Sequence, residues 1–133
     1  MATAVASLVL ISCTERSSWT DGEVREASET LATILSATSA AIAGQADATT
    51  TFRVTGCGTP EVTQVAGGTT IRTDIGRDEV FESVAQAWSE LGLSVDDAQT
   101  RSDTMVAAGD AFHIRLSDRR DGKYVVLLGT DCR

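Results

Sequence analysis

The single histidine, His113, and the three cysteines, Cys13, Cys57 and Cys132, are the side chains of this sequence best suited to chemistry at neutral pH. A histidine works as a general base only beside a nucleophile it can deprotonate and a group that orients it. The neighbours of His113 are Phe112 and Ile114, so in a strand its side chain alternates away from the core and reads as a solvated sheet-face residue. No Gly-x-Ser-x-Gly elbow is present, so a small hydrolase would need a serine or aspartate brought to His113 by the fold. The cysteines form no C-x-x-C motif, and with one histidine they make no zinc set. Calcium would need the oxygens of Asp96-Asp97 with Asp103, or of Asp118 with Asp121. Neither stretch has the EF-hand loop spacing with its closing glutamate, so both are read as solvated turns. Gly67-Gly68 has no lysine near it, so it is read as a turn and not as a phosphate loop. No residue set points to catalysis, a cofactor or a metal.

The elements that would position these residues follow from periodicity. Thr20-Asp21-Gly22-Glu23 fits a capping box and opens a predicted helix over 21–43, with Val24, Ala27, Leu31, Ile34/Leu35, Thr38 and Ala41/Ile42 on one stripe and Gly44 as its left-handed stop. Thr50 to Thr55 alternates, with Phe52 and Val54 inward and Thr51, Arg53 and Thr55 outward. Gly56-Cys57-Gly58-Thr59-Pro60 breaks this strand. A hairpin, or a loop and a strand, covers 62–75, with Thr69–Thr73 the firmer strand. A second helix spans 77–91, with Gly76 as N-cap and Glu79 reaching back. Val80, Phe81, Val84, Trp88 and Leu91 form its buried stripe, and Gly92 stops it. Trp88 reads as core and not as a ligand platform. Three strands, Thr104–Ala108, Phe112–Leu116 and Lys123–Leu128, close the chain, the last pair joined by a turn whose Asp121-Gly122 is a hairpin signal. Arg119-Arg120 on that tip reads as a solvated pair, with contact to an anionic lipid or polymer as the functional competitor. Tyr124-Val125-Val126-Leu127-Leu128 is apolar on both faces, which predicts a central strand. The order α-β-(β)-α-β-β-β predicts an α+β two-layer sandwich, two helices on one face of a mainly antiparallel four- to five-stranded sheet. Its other face would carry Thr51, Arg53, Thr55, His113 and Arg115 toward water or a partner.

Ahead of the first helix, residues 1–12 are apolar or small and uncharged, and a polar stretch, Thr14-Glu15-Arg16-Ser17-Ser18, follows Cys13. Leu10-Ile11-Ser12-Cys13 resembles a bacterial lipobox, with leucine three before the cleavage point, a small residue before it and cysteine after it. The resemblance implies that the Cys13 thiol receives a diacylglyceryl group, and two acyl chains anchor stably where one does not. The stretch is short for a signal peptide and carries no basic residue ahead of it, which an in-frame upstream extension would account for. The alternative for Cys13 is burial in an apolar N-terminus. With Cys13 lipidated, Cys57 and Cys132 remain as an even pair in an oxidising compartment, which predicts a disulfide; the alternative is two separate thiols. The strand at 50–55, the helix reading Glu79-Val80-Phe81…Ala87-Trp88…Leu91-Gly92 and a meander ending near Cys132 together resemble small lipoproteins of GC-rich Gram-positive bacteria, a family of unknown function.

Composition sets the outer limits. A chain of 133 residues supports one domain, and 42% hydrophobic with 23% charged residues suits a packed core and argues against disorder. The net charge of −8 argues against nucleic acid as a partner. No apolar run reaches the ~18 residues of a membrane span. The expected organisation is a signal-like segment at 1–12, a tether at 13–20 and a single α+β domain at 21–133. The expected function is a non-catalytic, lipid-anchored protein on the extracellular face of the cell membrane, offering its open sheet face to a cell-envelope protein or small ligand. A small hydrolase using His113 and a cytosolic protein-interaction subunit are the alternatives.

Overall fold

Two helices lie on one face of a seven-stranded sheet in which every paired neighbour is antiparallel. The computed structural model describes residues 19–46, 50–59, 61–97 and 100–133. Cys13, the signal-like segment and most of the expected tether lie outside the described residues. The first helix, α1 (Asp21–Ala41), starts at Thr20 with the expected capping box. Thr20 Oγ1 accepts from the Glu23 N–H at 3.1 Å, and Glu23 Oε1 accepts from the Thr20 N–H at 3.2 Å. Ala27, Leu31, Ile34, Leu35 and Thr38 form its buried stripe. Its stop differs from expectation: the left-handed residue is Ala43 (φ +47°), not Gly44. Gly44 is needed for space, because a Cβ there would run into the Ile71 side chain.

The next strands are β1 (Gln45–Ala46), β2 (Arg53–Gly56) and β3 (Thr63–Arg72). Both β1 and β2 lie along the same edge of β3. Gly67-Gly68 is not a turn, as its composition suggested, but the middle of β3. A Cβ at Gly67 would lie 2.7 Å from Phe52 Cδ1 on the helix side, and one at Gly68 would lie 2.6 Å from Leu127 Cδ2 on the other. The two glycines leave room for a large side chain from each flanking strand to lie across β3.

The second helix, α2 (Arg77–Glu90), begins at Gly76 as expected, but no side-chain hydrogen bond caps it. Gly92 ends it in the left-handed region (φ +84°). Val80, Val84 and Trp88 are fully buried, whereas Leu91, expected in that stripe, is 41% exposed and Leu93, past the helix end, is buried. The remaining strands are β4 (Ser94–Val95), β5 (Thr104–Ala108), β6 (Phe112–Asp118) and β7 (Lys123–Thr130). The sheet order is β1-β3-β7-β6-β5-β4, with β2 also on β3. The count of seven exceeds the expected four to five chiefly because β1 and β4 are two-residue strands that exist only through their pairing. The β6–β7 hairpin turns through Arg120, Asp121 and Gly122, all at positive φ.

Trp88 ties the layers together. Its Nε1–H donates to Thr38 Oγ1 at 2.8 Å, and the Thr38 hydroxyl donates to the Ile34 carbonyl at 2.7 Å, so one buried hydroxyl serves both helices. Leu31, Ile71, Ile114, Leu116, Val126 and Leu128 complete the surrounding core. The strand β7 sits centrally as expected, but only its Tyr124, Val126, Leu128 and Thr130 positions are covered by helices. Leu127, on the open side, is 47% exposed.

Candidate functional site

Two features at one end of the sheet deserve a residue-by-residue account: the disulfide, and the open face beside it. Cys57, on the turn after β2, and Cys132, after β7, are bonded, with their Cα atoms 6.3 Å apart and a sequence separation of 75. The bond delivers the C-terminus to the start of the domain. Thr63 and Arg133 exchange both backbone hydrogen bonds at 2.8 Å. The Arg133 guanidinium then stacks over the Trp19 ring, 4.0 Å from its centroid, and pairs with the Glu23 carboxylate of the capping box. A cavity of about 460 Å³ opens beside this clasp, with Trp19, Glu26, Phe112 and Asp131 in its walls.

The Arg133 guanidinium, and secondarily the Thr20 hydrogen bonds, hold the Glu23 carboxyl below its ordinary value of 4.5. A lowered folded-state pKa means that the charged form favours the fold, so this contribution is present above about pH 4.5 and is lost as the pH falls through the lower folded value. The melting temperature of wild type should therefore exceed that of Glu23→Gln at neutral pH, and the two should converge on acidification. A difference that persists unchanged into acid would show that the carboxylate charge is not what Arg133 and Thr20 hold.

On the open face, the register sets His113 opposite Gly129 and Arg115 opposite Leu127, while Gly129 and Leu127 face Ala66 and Gly68 on β3. Small residues therefore occupy the centre, and longer ones lie down over them. Leu127 leans across Gly68. Gln64 leans across Gly129, where an added Cβ would be 2.8 Å from its Oε1. The Gln64 amide thereby reaches His113, with Nε2 and Oε1 at 3.0 Å, and the same nitrogen lies 3.0 Å from the Thr130 carbonyl oxygen. A carbonyl only accepts, so Nε2 carries a proton and Nδ1 holds the lone pair in the neutral ring. The result is a shallow trough of about 420 Å³ with a floor of Leu127, Gly68 and Ala66 and walls of Thr55, His113 and Arg115.

The expected open-face residues are thus partly assembled. Thr55, His113 and Arg115 line one trough, Arg53 stands exposed beside it opposite Ala66, and Thr51 is exposed but precedes β2. No serine, cysteine or carboxylate is hydrogen-bonded to His113 among the described residues; what it holds is a cross-strand brace. Gln64, Leu127 and the glycines under them were not singled out from sequence, and the alternation of a continuous β3 was the signal that would have placed Gln64. Asp118, one of the carboxylates considered for calcium, accepts from the Arg120 N–H at 2.7 Å and faces Arg77 at 3.7 Å. Among the described residues no three His, Cys, Asp or Glu side chains gather as a metal site, and no helix is long and apolar enough to cross a membrane.

No family model, curated protein or solved structure matches the chain. The trough and the disulfide clasp are therefore interpreted from their own chemistry.

Proposed function

We propose that this chain is a non-catalytic exported lipoprotein, held by a diacylglyceryl group on Cys13 to the outer face of the cell membrane and presenting the open face of its sheet to a cell-envelope partner or small ligand. The observation that carries the reading is the cysteine pairing. Cys57 and Cys132 take each other, which leaves Cys13 as the odd thiol, and Cys13 is the one that stands in the Leu10-Ile11-Ser12-Cys13 pattern. Disulfides persist where the surroundings oxidise, as outside the cell.

The test is detergent partitioning and labelling with a fatty-acid analogue in a Gram-positive host. Wild type should enter the detergent phase and take up label, and Cys13→Ala should remain aqueous and unlabelled. Equal partitioning of the two chains refutes the anchor.

A further inference from the structure

Charge is segregated between the two layers of this domain. The helices α1 and α2 hold eight carboxylates against two guanidiniums, Arg25 and Arg77. The strands hold four cations, Arg53, Arg72, Arg115 and Lys123, against one carboxylate, Asp118. That carboxylate turns to the helix layer, where it faces Arg77. A protein of net charge −8 thus keeps the open face of its sheet free of acidic strand residues.

Two of these cations, Arg53 and Arg115, are not spent on the fold. Among the described residues, Arg53 and Arg115 make no side-chain ion pair or hydrogen bond. At the other end of the face, Arg72 and Lys123 stand directly opposite each other in the register, a like-charge pair that costs stability. Arg72 shares a recess there with Asp74 and Asp121, which leaves Arg53 and Arg115 as the open-face guanidiniums without an ion pair among the described residues. In their midst lies Leu127, 47% exposed on an otherwise small-residue floor.

We infer that this face docks on an anionic lipid bilayer, with the guanidiniums of Arg53 and Arg115 on headgroup phosphates and Leu127 at the level of the headgroups. Arg53 on β2 and Arg115 on β6 are held apart by β3 and β7 between them, which suits a surface better than a single small anion. The length of chain before the domain agrees: five residues separate Cys13 from Trp19, a reach of roughly 20 Å when extended. An acidic protein held so near an anionic bilayer is repelled unless it turns its basic face inward. The inference goes beyond the anchor and stands without it, since the charge pattern belongs to the domain alone.

The experiment uses the full unacylated chain, Cys13→Ala, sedimented with vesicles of phosphatidylcholine alone or mixed equally with phosphatidylglycerol. Binding is expected only to the mixed vesicles and should fall as salt rises, because exposed charges are screened beyond roughly 10 Å at 0.1 M salt. One basic residue at an anionic surface is worth roughly fivefold in partitioning, so Arg115→Glu should weaken binding roughly tenfold or more. Arg25→Glu, the same change of net charge on the exposed face of α1, should weaken it much less. Equal losses from both variants, or no binding to the mixed vesicles at low salt, overturn the inference while leaving the Cys13 anchor untouched. Tight binding of soluble polyphosphate without vesicle binding overturns it in favour of a soluble polyanion. Conversely, a wild-type chain that takes up no fatty-acid label removes the anchor and leaves this face as it is.

Discussion

Cys57→Ser combined with Cys132→Ser is expected to lower the melting temperature by roughly 15 °C, since closing a loop of this size is worth about 4–5 kcal/mol and each kcal/mol shifts a domain near this length by roughly 3–4 °C. The large effect comes from the sequence separation of 75 between the two positions, since the bond restricts the freedom of that loop in the unfolded chain. A second loss follows in the folded state. Without the bond, Arg133 keeps its place only through its backbone exchange with Thr63 and its contacts with Trp19 and Glu23. Those contacts are largely exposed, and exposed ion pairs are worth less than about 1 kcal/mol. Calorimetry of the double variant is the check, with reduced wild type as a second route to the same state. A fall of only a few degrees would mean that the C-terminal clasp holds the chain ends together without the covalent bond.

Trp88→Ala is expected to cost about 3–5 kcal/mol, the range for deleting a large aromatic side chain from a packed interior. Trp88 is fully buried in the core between the helices and the sheet. The polar tip of the same side chain makes a finer prediction. Thr38→Val keeps the shape of Thr38 but removes the acceptor of the indole N–H, which leaves a buried donor unpaired at a cost of about 1–3 kcal/mol. The Ile34 carbonyl, which loses the threonine hydroxyl, keeps its helical backbone partner, so the indole carries most of the cost. In a Trp88→Phe background the same substitution should cost clearly less, because no indole donor remains. Urea unfolding of the four chains gives this coupling directly. Additive losses would show that the Trp88–Thr38 bond contributes nothing beyond packing.

Part of each of these centres was legible in the sequence: Trp88 lies on a helical stripe, and Cys57 and Cys132 form an even pair once Cys13 is set aside. The capping box at Thr20 and Glu23 is a local arrangement: its two hydrogen bonds join residues three apart, and no distant strand is needed to form them. The stripe through Val80, Val84 and Trp88 and the Asp121-Gly122 turn are likewise short-range, so their periodicity or turn chemistry carries them. The pairing of Cys57 with Cys132 followed from counting. By contrast, the expected turn at Gly67-Gly68 was wrong for a long-range reason. Two glycines in a row signal a turn when nothing presses on them; here Phe52 and Leu127 press from opposite sides, and they come from other strands. Leu91 is exposed where the helical stripe placed it in the core, because the helix ends there and the left-handed Gly92 turns the chain so that Leu93 is the buried residue.

The open face divides along the same line. That His113 and Arg115 point away from the core was legible in the alternation of β6, because side chains of a strand change sides at every residue. That Gln64 crosses Gly129 to meet His113, that Leu127 lies over Gly68 between the cations, and that β1 and β4 are strands at all depended on which strands became neighbours. Sequence by itself determined what repeats over a few residues: two amphipathic helices, the hairpins, the inward and outward sides of each long strand, and the excess of acid over base. Tertiary structure alone decided which residues became neighbours, setting Arg72 opposite Lys123, Gln64 beside His113 and Phe52 against Gly67. The physical reason is that local periodicity assigns each residue a side, while cross-strand register assigns it a neighbour.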